Sequence, residues 1–169
     1  MKVLNKIVLG LAMPLMLTGC LDILGGGYNE VSREEFFEAA VEAFPEESPY
    51  KKVTCNGKVV SEGETTTFKN IEVGFDDDWE PSEDEETYAK QYTVAMLITF
   101  INAPTISSEE PEDEFDVHWY IKKDNKGFKV SEKADGEQLE LLFEEYGLLS
   151  SYVGKSSTSD VNLKFVYTK

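Results

Sequence analysis

Phe115, Val117, Trp119 and Ile121 alternate with Asp116, His118, Tyr120 and Lys122. A period of two puts the four apolar side chains on one face of an extended strand and the polar ones on the other. Asp124-Asn125-Lys126-Gly127 then turns this strand into a partner over Phe128–Lys133. The same pattern recurs on either side. Tyr50–Ser61 and Thr65–Phe75 are rich in Val, Thr, Ile and Phe and flank Glu62-Gly63-Glu64, and Ile71, Val73 and Phe75 share a face. Leu148–Val153 and Val161–Thr168 make a last hairpin, with Val161, Leu163, Phe165 and Tyr167 on one side. Three hairpins give about six mostly antiparallel strands, each with an apolar side that needs cover.

Helical periodicity supplies the cover. Ser32 followed by Glu35 matches a capping box, in which each side chain satisfies an orphan backbone N–H, and Phe36, Phe37, Ala40, Val41 and Phe44 recur at helical spacing before Pro45. Tyr88–Ile101 fits two patterns: Val94, Leu97, Ile98 and Ile101 form a helical stripe, while the run from Val94 reads equally as a buried strand. Its length favours helix. Gln138–Tyr146 reads as a short helix closed by Gly147. The order helix, hairpin, helix, hairpin, helix, hairpin predicts an α+β fold: about six strands in one curved sheet with three helices packed on one face. Residues 31–169 form its single domain.

The first twenty residues follow a different logic. Lys2 and Lys6 precede an apolar run, Ile7–Leu17, broken by Pro14. A membrane-crossing helix needs about 20 apolar residues, whereas a signal-peptide core needs roughly 7–15. Leu17-Thr18-Gly19-Cys20 then places small residues between a large aliphatic one and a cysteine. This resembles the lipobox of bacterial lipoproteins. The resemblance implies that residues 1–19 are a cleaved signal peptide and that a diacylglyceryl group on the Cys20 thiol attaches the chain to the outer side of a cell membrane. Two acyl chains suffice for stable attachment where one does not. Leu21 rather than an aspartate follows Cys20, so the inner-membrane retention signal of some two-membrane bacteria is absent there. Residues 20–30, with Gly25, Gly26 and Gly27, then form a flexible tether. A one-sided sheet covered by helices is also similar in architecture to the half-barrel of LolA and the mycobacterial lipid carriers, although no motif carries that likeness.

Charge and composition narrow the function. Two of the 16 bases, Lys2 and Lys6, fall within the signal peptide, so 14 face 33 acids in the mature chain, a formal net charge of −19. Nucleic acid is excluded as a partner, because that affinity comes largely from neutralising phosphates. With Cys20 lipidated, Cys55 has no disulfide partner and reads as a small buried hydrophobe. There is one histidine, His118, on the polar face of its strand, and no nucleophile motif, zinc-ligand spacing or glycine-rich phosphate loop. No cofactor is expected and the reading is non-enzymatic. Asp76, Asp77, Asp78 and Glu80, with Glu83 and Asp84, offer hard oxygen ligands for calcium, but their spacing departs from the EF-hand pattern. A solvated acidic loop accounts for them as well.

Four aromatics, Tyr50, Trp79, Tyr120 and Tyr152, are not assigned to a core face by periodicity and are the candidate lining of a ligand groove. Two functions follow. One is a membrane-anchored extracytoplasmic binding module for an apolar small molecule, lipid or peptide held between sheet and helices. The other is an envelope or surface interaction domain that meets a partner protein without a pocket.

Overall fold

The computed structural model describes residues 27–108, 116–124, 126–134 and 137–169. Residues 1–26, with the expected signal peptide, Cys20 and most of the expected tether, and residues 109–115 lie outside the described residues. The described chain is α+β, with eight strands in one open sheet and three helices. The strands are β1 Tyr28–Val31, β2 Lys52–Ser61, β3 Glu64–Gly74, β4 Asp116–Lys122, β5 Gly127–Ala134, β6 Glu137–Glu144, β7 Leu149–Lys155 and β8 Ser159–Thr168. The helices are α1 Arg33–Ala43, α2 Glu85–Phe100 and α3 Ala103–Ser108. Strand order is β1-β4-β5-β6-β7-β8-β2-β3, and every neighbouring pair is antiparallel.

Two of the eight strands are additions to the sequence reading. Residues 138–146 are strand rather than helix. Gln, Leu and Glu favour a helix locally, but Leu139, Leu141 and Phe143 alternate with Glu140, Leu142 and Glu144, and pairing on both sides with β5 and β7 rewards that alternation. Gly147, at φ +72°, serves the β6–β7 connection instead of ending a helix. Tyr28–Val31, placed mostly in the tether by sequence, pairs with β4 as an edge strand.

The third helix arises elsewhere. Asn102 is the joint: its side-chain amide donates to the Thr99 carbonyl at the end of α2, and its carbonyl oxygen accepts from the Thr105 N–H at the start of α3. Pro104 ends one helix and is tolerated in the first turn of the next, where its missing N–H has no helical acceptor.

At α1 the expected capping box is present. Ser32 Oγ accepts from the Glu35 N–H, and the Glu35 carboxylate accepts from the Ser32 N–H at 3.0 Å. Ser32→Ala is expected to cost about 1 kcal/mol, read as a lower urea midpoint with an unchanged slope. Asp84 caps α2 through the Thr87 N–H at 2.8 Å, which holds its carboxyl below the usual range.

Register explains the core. Val31, Trp119, Val130, Leu141, Tyr152, Leu163, Gly57 and Phe68 are successive partners across all eight strands. This row and its in-phase neighbours form the inner face. Phe36, Ala40, Val94, Leu97, Ile98 and Ala103 of the helices join it in one buried cluster. Phe36 is fully buried, its ring 5.0 Å from Trp119 and 5.4 Å from Phe128.

Candidate functional site

The next inner row runs Val117, Glu132, Leu139, Gly154, Val161, Val59. Five of its members are apolar or glycine. Glu132 is the exception, and it is only 5% exposed. Among the described residues it has no hydrogen-bond or ion-pair partner, yet no fully occluded side-chain N or O there lacks one. Its carboxyl therefore keeps an edge on a small accessible space. Burial pushes its pKa up to about 7, because a low-polarity surrounding penalises the charged form.

Tyr152 belongs to the same recess. It is 6% exposed and its hydroxyl likewise has no partner among the described residues. A Cβ at Gly154 would lie 3.1 Å from Tyr152 Cε2. The absent side chain thus leaves room for the Tyr152 ring to lean into the Glu132 row. Burial, with the Glu132 charge second, pushes the Tyr152 phenol up to about 12. Two buried polar groups without partners among the described residues thus share an otherwise apolar face, near enough for the Glu132 charge to act on the Tyr152 phenol, an arrangement suited to holding and orienting a ligand's polar end.

The other three candidate groove aromatics lie elsewhere. Tyr50 stands where β2 begins, and its hydroxyl donates to Glu144 Oε2 at 2.5 Å. Its ring centroid is 5.2 Å from Tyr167 and 5.9 Å from Tyr146, and Lys169 Nζ lies 5.6 Å from the Tyr50 ring. Trp79 covers Gly74, where a Cβ would fall 2.3 Å from the indole. Tyr120 is on the outer face, under Lys129 Nζ at 5.3 Å. Tyr152 and Tyr120 thus face opposite sides of the sheet, and the four line no common groove.

His118 is also outward. Its Nδ1 lies 2.7 Å from Glu30 Oε1 on β1, and its Nε2 lies 3.2 Å from Asp116 Oδ2. The hydrogen bond to Glu30, helped by Asp116 and opposed by desolvation, raises the His118 pKa. A cation stabilised in the folded state contributes most below the unfolded pKa of 6.5 and is lost as pH rises through the folded value. We expect the amide protection of Asn29 and Val31 to fall between pH 6 and pH 8.5, and His118→Gln to flatten that fall. A profile unchanged in His118→Gln would contradict this clamp.

Cys55 is fully buried on β2, and burial alone pushes its thiol up to about 12. It lies five strands from β4, roughly 24 Å along a flat sheet, so it forms no pair with His118. Among the described residues, no three His, Cys, Asp or Glu side chains converge as a metal site requires. That includes Asp76, Asp77, Asp78 and Glu80.

Sequence reasoning passed over Glu132, although its signal was present. Phe128, Val130 and Glu132 share one phase of β5, so an acid occupies an inner position. No protein-family model, curated protein or solved structure matches the chain.

Proposed function

We propose that this chain is a membrane-anchored extracytoplasmic lipoprotein whose domain is a non-enzymatic binding module for an apolar ligand with a polar end. The observation that carries the binding reading is the pair Glu132 and Tyr152, buried on the apolar inner face without partners among the described residues. Leaving such groups unpaired costs folding free energy, and ligand recognition gives that cost a use. The lipobox-like Leu17-Thr18-Gly19-Cys20 supports the anchor. Among the described residues no helix is long and apolar enough to cross a membrane.

An apolar fluorescent probe, N-phenyl-1-naphthylamine, is expected to brighten on binding the wild-type protein and to be displaced by added long-chain alcohol. No brightening would count against the module. For the anchor, Cys20→Ser should release the protein from the membrane fraction, and unchanged membrane association would reject lipidation.

The helices favour a second reading. Phe37, Val41 and Phe44 are exposed along one flank of α1, beside Glu34, Glu38 and Glu42. Tyr88, Tyr92 and Phe100 are exposed on α2. Such a face suits a partner protein with an apolar surface and a basic rim. Phe37→Ser with Val41→Ser would abolish that contact while leaving probe binding intact.

A further inference from the structure

We infer that the recess at Glu132 and Tyr152 takes the ammonium head of an aliphatic amine, whose hydrocarbon chain lies along the apolar residues of the same inner row. This rests on the binding-module reading and specifies its ligand. The head group follows from what surrounds the carboxyl. Val117, Leu139, Gly154, Val161 and Val59 share the row, and none can donate a side-chain hydrogen bond. No ion pair among the described residues involves Glu132; those flanking it, Lys129–Glu140 and His118–Asp116, belong to outward-facing residues. Among the described residues, the recess therefore contains an acceptor and lacks a cation.

Three head groups compete for it. A carboxylate would meet the like charge of Glu132. A hydroxyl would offer one neutral hydrogen bond. An ammonium offers three donors and the opposite charge, so that Glu132 accepts one bond, the Tyr152 oxygen accepts another, and the pair is strengthened by the low polarity around it. Burial of the methylene chain contributes the rest at roughly 0.8 kcal/mol per CH₂. The formal charge of −17 on the whole chain also concentrates cations near the domain. That field acts on any amine, so the test must separate it from the recess.

Isothermal titration of the full-length protein with n-octylamine, n-octanol and octanoate at pH 8 makes the separation. We expect octylammonium to bind at least tenfold more tightly than octanol and octanoate to bind most weakly. Glu132→Gln, which keeps the shape and removes the charge, should bring the amine to the level of the alcohol, and Tyr152→Phe should fall between. An amine that binds no better than the alcohol to the wild-type protein overturns the head-group assignment. So does a preference for amine that survives in Glu132→Gln, because the general acidity of the surface would then explain it. In either case octanol binding leaves the binding-module reading standing, whereas failure of all three ligands removes both.

Discussion

Gly57→Ala is expected to destabilise the domain by about 4 kcal/mol or more, enough to remove most of the stability of a domain this size. Gly57 stands in the central inner row with φ +140°, and a Cβ built there would lie 2.0 Å from the Asn162 carbonyl oxygen on β8. Backbone cannot step aside as a flexible side chain can. Alanine would have to break the β2–β8 pairing or abandon the local conformation, combining overpacking with strain. The neighbouring irregularity makes the same point from the other side. Register shifts between Cys55 and Gly57, Asn70 of β3 sits at φ +51°, and the Asn56 side chain accepts from the Asn70 N–H at 2.8 Å. Gly63 is the control: at φ +82° it has nothing within 4 Å of a built Cβ, so Gly63→Ala should cost only about 1 kcal/mol of conformational strain. Equal urea midpoints for the two variants would refute the close approach at Gly57.

Glu132→Gln should act in the opposite direction, stabilising the empty protein at pH 8 by about 2 to 3 kcal/mol. The sign follows from the raised carboxyl. Its folded pKa of about 7 exceeds the ordinary 4.5, so the folded state binds the proton more tightly than the unfolded one does. Wild-type stability should then be highest below pH 4.5 as far as this group is concerned, and should decline as pH rises to about 7. Water at the edge of the carboxyl trims the effect. In Glu132→Gln that component of the decline disappears, leaving the shallower change from His118. A variant less stable than wild type at pH 8 would mean that Glu132 has a partner that stabilises its charge. Stability and ligand affinity therefore move apart at this position, the pattern expected of a residue kept for binding rather than for folding.

Much of this fold is legible from periodicity. The period-two alternation of β4, β5 and β8, the Glu62–Gly63 turn and the Ser32–Glu35 box all rest on interactions between residues near in sequence, and each is present in the structure. The failures come from longer range. β6 carries residues of high helix propensity, and only its pairing with β5 and β7 decides in favour of strand. β1 has four residues and depends on register with β4 and on the His118–Glu30 contact, neither of which local sequence displays.

The recess was half legible. An acid in phase with Phe128 and Val130 announces an inward carboxyl, but the approach of Tyr152 requires Gly154 to occupy the same row two strands away. Tyr50, Trp79, Tyr120 and Tyr152 share aromatic character but not a side of the sheet, because alternation puts Tyr120 on the face opposite Trp119. Aromatic content says nothing of the side on which a ring falls; phase does.

Native mass spectrometry of the intact protein tests the central claim most directly. The account predicts a population carrying the added mass of one amphiphilic molecule, and its loss in Glu132→Leu, which removes the carboxylate that anchors the polar end. Wild-type protein that carries nothing, and that takes up no added amphiphile, would contradict it.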